Sequence, residues 1–150
     1  MTILDEVSIF DGKLTFLIPH DWVEVQEDGD EETYPYQLPE VESGWFRVSL
    51  ITVSSQEPKL KLQEIFKDAP LISRNLSTGS LIEANQKFSV DQATGSPLQI
   101  YFWKVGNIVR PGLVREAVFS YTILRDQMQE PHVQDTVRLL EQLVSQAKFS

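Results

Sequence analysis

One stretch, residues 98–123, constrains this chain more than any other. Tyr101, Trp103 and Val105 alternate there with Ile100 and Phe102. After a turn within 106–112, Ala117, Phe119, Tyr121 and Ile123 alternate with Val114 and Val118. A period of two with apolar residues on both faces describes two long neighbouring strands whose sheet is covered above and below. The remainder of the chain must supply those covers.

Taken in order, 7–10 and 13–18 read as a hairpin around Asp11-Gly12, because both central positions of a two-residue turn take φ > 0. Leu14, Phe16 and Ile18 share one face of its second strand. Pro19 ends that strand, and 22–26 starts a short one with Val23 and Val25 facing together. Tyr34-Pro35-Tyr36 is extended but confined to an edge or to polyproline geometry, since Pro35 has no backbone donor. Strand 45–53 follows Gly44, with Phe46, Val48 and Leu50 on one side. In 81–90, Ile82, Ala84, Phe88 and Val90 alternate with Glu83, Asn85, Lys87 and Ser89, which predicts one wet face.

Two helices open in the same way. Glu57-Pro58 and Glu130-Pro131 each set proline at the first helical position and a carboxylate at the positive end of the dipole. The first carries Leu62, Ile65, Phe66 and Ala69 and stops before Pro70. The second covers 130–147, with Val133, Val137, Leu140, Val144 and Ala147 on one stripe and Leu143 beside them. No repeat or linker divides the 150 residues. The reading is one α+β domain, 1–150: a largely antiparallel sheet flanked by helices as an α/β/α sandwich.

Charge narrows the function classes. The net charge is −9, and residues 21–42 hold nine carboxylates without one Lys or Arg. From 43 onwards twelve basic residues face ten acidic ones. Such a balance repels a phosphate backbone, so nucleic acid is not expected as a partner. A protein with a basic surface is. No apolar run approaches the ~20 residues of a spanning helix. Asp5 and Glu6 stand where a signal peptide carries positive charge, so the expected address is cytoplasmic. Absence of cysteine removes disulfides, thiolate nucleophiles and thiolate ligands.

No catalytic, metal or cofactor site is expected. His20 and His132 are the only histidines, one in a turn and one off the apolar stripe of its helix, and no zinc-type spacing joins them. Asp28, Asp30 and Glu32 surround Gly29, but the glycine stands too early for a calcium loop. What remains is a contact surface: Asp28, Asp30, Glu31 and Glu32 with Tyr34, Tyr36 and Trp45 beside them, carboxylates next to aromatics. The plain alternative is a solvated acidic loop. A different function class stays open, a small-molecule-binding protein or hydrolase-type enzyme using carboxylates on the open sheet face. Carboxylates that converge from distant strands leave no spacing to read.

Leu14-Thr15-Phe16-Leu17-Ile18-Pro19-His20-Asp21-Trp22, an apolar strand followed by proline and tryptophan, resembles the opening of the PsbP-like superfamily. That group also includes a Ran-binding nuclear import factor and small bacterial secretion chaperones. The glycine-led strand Gly44-Trp45-Phe46-Arg47-Val48-Ser49-Leu50 and the closing order of two long strands and a helix are similar as well. The resemblance implies an antiparallel sheet between helices and a non-enzymatic protein that docks on other proteins, here a bacterial cytoplasmic adaptor or chaperone. It carries over no partner-binding residue.

Overall fold

The computed structural model describes residues 3–25, 33–39, 44–54, 73–75 and 81–150. They form strands β1 (Leu4–Ile9), β2 (Leu14–Pro19), β3 (Val23–Glu24), β4 (Thr33–Gln37), β5 (Trp45–Ser54), β6 (Ser73–Asn75), β7 (Leu81–Val90), β8 (Pro97–Arg110), β9 (Leu113–Leu124) and β10 (Lys148–Phe149). A 3₁₀ turn, Arg125–Gln127, leads from β9 towards helix α1, Pro131–Val144. The class is α+β, mostly antiparallel sheet. The helix expected over 57–69 lies outside the described residues.

The long pair sits at the centre, as the alternation requires. A seven-stranded sheet runs in the order β3-β4-β5-β9-β8-β7-β6, and every neighbouring pair is antiparallel. Pro111-Gly112 turns β8 into β9, with Gly112 at φ 80° and a bulge between Ile108 and Arg110. The remaining three strands form a small sheet, β1-β2-β10. Asp11 and Gly12 take φ 57° and 80° in the β1–β2 turn, and the Lys13 amide donates to the Phe10 carbonyl at 3.2 Å. This is the anticipated two-residue turn. Phe10 joins it at φ 56°, a conformation uncommon for an aromatic residue, with its ring edge-on to Tyr34 at 4.8 Å.

Strand register stacks the core into rows. Tyr36, Phe46, Tyr121 and Tyr101 stand opposite one another across β4, β5, β9 and β8. The next row is Val48, Phe119, Trp103 and Ala84, and the one after it Leu50, Ala117, Val105 and Ile82. Phe16 of β2 packs edge-to-face with Tyr36, Phe46 and Phe119, with centroids 6.2, 6.5 and 5.5 Å away. Edge-to-face packing sets the positive rim of one ring against the negative face of another. The small sheet and α1 thus cover the same side of the large sheet, α1 packing on β2 and β8.

Helix α1 opens at Pro131 and buries Val133, Leu140, Leu143 and Val144, the expected stripe. It stops three residues earlier than its apolar spacing suggests. Ala147 stays in the core, but the chain has left the helix to add β10 beside β2. Strand β7 also departs from expectation. Ile82 is buried on the inner face, yet Phe88 and Val90 on that face are exposed, while Glu83 on the supposedly wet face is 5% exposed. Alternation fixes which side a residue takes. What lies over that side at each end of the strand is decided elsewhere in the chain.

Candidate interaction surface

The surface begins at the edges of both sheets. Strand β3 is the edge of the seven-stranded sheet, Val23 lying opposite Gln37 and Glu24 opposite Tyr36. With two residues it has no second row to bury, so Val23 is 61% exposed between the exposed acids Asp21 and Glu24. Val25 is half-buried, its amide bonded to the Pro35 carbonyl at 2.9 Å. Strand β1 is the edge of the small sheet. Ile3 (68% exposed) and Leu4 precede the exposed Asp5 and Glu6. The His20 amide donates to the Ile3 carbonyl at 2.8 Å, and His20 Nδ1 meets Asp5 Oδ2 at 2.8 Å, so the start of β1 lies beside the segment that leads from β2 into β3. An apolar and acidic rim results, made of Ile3, Leu4, Asp5, Glu6, Asp21, Val23 and Glu24. A cavity of about 200 Å³ opens beside it, lined by Glu6, Thr15, Phe16, Leu17, Gln146 and Lys148.

The residues singled out from sequence are distributed differently. Asp28, Asp30, Glu31 and Glu32 lie outside the described residues. Tyr36 is 2% exposed and belongs to the core row, so it offers no area to a partner. Burial, first, and then Glu24 and Tyr34 hold its phenol well above the usual range. Tyr34 shares the inner face with Tyr36 and is half-buried against Phe10. Trp45 lies on the opposite face, with the Arg47 guanidinium 5.6 Å from its ring centre. Tyr34 and Trp45 are therefore separated by the thickness of the sheet. Ile3, Leu4 and Val23 were missed. An exposed apolar residue on a two-residue edge strand has the same sequence signature as one that is buried.

The outer face of the large sheet gathers a second set. Glu83 stands opposite Lys104 across β7 and β8, and Glu116 stands opposite Gly106 across β9 and β8, so two carboxylates flank one ammonium group. Burial pushes the Glu116 pKa up; Lys104 opposes the shift and Glu83 adds to it. The half-buried Phe102 and Val118 and the buried Val114 share this face. It is the arrangement that an enzyme using sheet-face carboxylates would need, though Lys104 also accounts for it as charge compensation. Among the described residues no three His, Cys, Asp or Glu side chains are placed to hold a metal ion, and no helix is long and apolar enough to cross a membrane.

No family model and no curated protein matches the chain by sequence. Solved structures do. A Bacteroides thetaiotaomicron protein aligns over 97% of this chain with a TM-score of 0.62 and 16% identity, and the chain spans about half of it, 48%. The Ran-binding protein Mog1p of Saccharomyces cerevisiae aligns over 99% of this chain and 96% of its own, with a TM-score of 0.55 and 9% identity. LpqN of Mycobacterium tuberculosis, involved in cell envelope biogenesis, aligns over 99% of this chain and 91% of its own, at 0.56 and 15%. At these identities the likeness concerns the fold alone, which this chain shares with Mog1p and LpqN.

Proposed function

We propose that this chain is a non-enzymatic protein-interaction module, a small cytoplasmic adaptor or chaperone-like protein that engages a partner with a basic surface. The observation that carries this reading is the rim at β1 and β3, where exposed Ile3, Leu4 and Val23 stand beside exposed Asp5, Glu6, Asp21 and Glu24. Apolar side chains left in water favour a contact that covers them, and flanking carboxylates choose a cationic partner and speed its approach. Asp28, Asp30, Glu31 and Glu32 extend the same charge along the chain. The Ran-binding role of Mog1p supports protein docking as a use of this fold.

The test is association kinetics with the partner recovered by cross-linking in cells. Reversing Asp28, Asp30, Glu31 and Glu32 to Lys should slow association at low salt, while Val23→Ser with Ile3→Ser should speed dissociation. Raising salt from about 50 to 500 mM should slow the wild-type encounter as the screening length shortens from roughly 14 to 4 Å. A four-lysine variant that associates as fast as wild type at low salt would sink the proposal. The second reading, catalysis at Glu83, Lys104 and Glu116, requires Glu116→Gln to abolish turnover of a substrate with the fold intact.

A further inference from the structure

Strand register sorts the outer face of the small sheet into rows. Ser8, Thr15 and Lys148 stand opposite one another across β1, β2 and β10, and in the next row Glu6 stands opposite Leu17. Leu14, Phe16 and Ile18 fill the core, so β2 turns Thr15 and Leu17 to the other side, where both are half-buried. The β2–β10 register, carried back two residues from Lys148, brings Gln146 beside Leu17. These residues frame the cavity of about 200 Å³, and every residue that lines it is among the described ones. Thr15 and Leu17 form its floor, the exposed Glu6 one wall, and the exposed Gln146 and Lys148 the other.

The two walls carry opposite charges held apart. Strands spaced ~4.8 Å with a rise of ~3.4 Å per residue put Glu6 and Lys148, two strands and one two-residue step from each other, roughly 12 Å apart. Among the described residues neither makes an ion pair. Polar groups lie between them. The Thr15 hydroxyl donates to Ser8 Oγ at 3.4 Å, which leaves its oxygen able to accept, and the Gln146 amide can donate and accept. The volume also limits the ligand, since pockets for drug-sized molecules run to ~300–1,000 Å³.

We infer that this trough on the small sheet binds a free dipeptide, its ammonium group on Glu6, its carboxylate on Lys148 and an apolar first residue over Leu17. Two residues of ~3.4 Å set the terminal charges of an extended dipeptide ~6–7 Å apart. A charge-assisted hydrogen bond of ~2.8 Å at each end completes the distance between the walls. An α-amino acid carries both charges on neighbouring carbons and reaches one wall at a time. Leu17 shares its row with Glu6, so the residue bearing the ammonium lies over the apolar part of the floor. The second residue lies over Thr15, next to Lys148, with the peptide group within reach of Thr15 and Gln146. This ligand is separate from the protein partner proposed for the rim, and the two share only Glu6.

The experiment titrates the isotope-labelled full chain with the dipeptide Leu-Ala and follows its backbone amide signals. Those of Glu6, Leu17, Gln146 and Lys148 should shift together and saturate. The expected dissociation constant is near or below ~1 mM, which ~14 non-hydrogen atoms reach at the efficiency of drug-sized ligands. Capping either end, as N-acetyl-Leu-Ala or as Leu-Ala amide, should weaken binding about threefold or more, the scale of ion pairs open to solvent. Lys148→Gln should weaken Leu-Ala by the same factor and abolish the difference between Leu-Ala and its amide. Lys148 is exposed and lies outside the rim, so this variant keeps both the core and the protein-docking surface. Absence of saturable shifts, shifts confined to other parts of the chain, or equal binding of capped and uncapped peptides overturns the inference. So does free leucine binding as tightly as Leu-Ala. In each of these cases a protein partner that still docks on the rim leaves the proposed function standing.

Discussion

Replacing Tyr121 by phenylalanine should leave the domain as stable as before or more so. The Tyr121 ring has no exposed surface, and its hydroxyl is buried with no hydrogen-bond partner at bonding geometry. Thr136 lies close enough to favour the phenolate, but its hydroxyl already donates to the His132 carbonyl at 2.8 Å. A hydroxyl taken from water without replacement costs about 1–3 kcal/mol, whereas the ring keeps its hydrophobic burial. Phenylalanine retains the stack on Tyr101, with ring centroids 6.4 Å apart. Part of the gain is lost to the small gap left by the oxygen, so the expected net is zero to about 1 kcal/mol. At this chain length that corresponds to a Tm rise of up to about 4 °C. Urea unfolding should show a higher midpoint with an unchanged slope. Burial pushes the Tyr121 phenol up to about 12, with Thr136 opposing. Because the folded value exceeds the ordinary 10, the stability held by the neutral phenol is present below pH 10 and drains away as pH rises towards 12. Tyr121→Phe should therefore also raise the midpoint of alkaline unfolding. A loss of more than about 1 kcal/mol at neutral pH, with the slope unchanged, would refute the reasoning by showing a bonded hydroxyl. Thr136→Val would then identify its partner.

Three further outcomes are expected. Leu140→Ala on the buried face of α1 should cost about 2–5 kcal/mol, and cooperative melting near the wild-type temperature would show that the helix is not part of the core. Glu116 has a folded pKa above its ordinary 4.5, so its uncharged form favours folding at low pH and this contribution disappears as pH rises through the raised value. Glu116→Gln should accordingly flatten the loss of Tm with rising pH in that acid window; identical profiles would remove the carboxylate from consideration. Gly12→Ala adds a Cβ with only Ser8 Oγ nearby, at 3.9 Å, so its cost is that of φ 80° alone. That is about 1 kcal/mol, and a much larger loss would mean a steric clash.

The centre of the fold was legible because its signals are local. Alternation at 98–123 specified two long strands, Asp11-Gly12 specified a hairpin, and Glu130-Pro131 specified where α1 opens. Each depends on a period or a dihedral that the residues themselves impose. The division into two sheets was not legible. Whether Lys148-Phe149 continues a helix or pairs with β2 is settled by strand β2, far away in sequence. The site was harder still. Tyr34, Tyr36 and Trp45 are close in sequence and on the neighbouring strands β4 and β5, but Tyr36 is drawn inward by Phe16 and Phe46, and a strand sends odd and even positions to opposite faces. Charge could be counted along the chain, but the rim at Ile3, Leu4 and Val23 exists only because β1 and β3 both lie at edges.

The connectivity of the two sheets has a kinetic consequence. Strands β7, β8 and β9 are consecutive antiparallel neighbours joined by short turns, one around Asp91 and Gly95 and one at Pro111-Gly112. Their contacts close small loops. Strand β10 pairs Phe149 with Leu14, contacts from opposite ends of the described chain, and closes nearly the largest loop available. Folding should therefore nucleate on the β7–β9 meander and dock the small sheet last. Substitutions at Trp103 or Phe119 would slow refolding, whereas substitution of Phe149 would mainly hasten unfolding. The last-formed contact also carries Ser150 to the Arg115 guanidinium, so that buried charge waits for its carbonyl until the chain has otherwise folded.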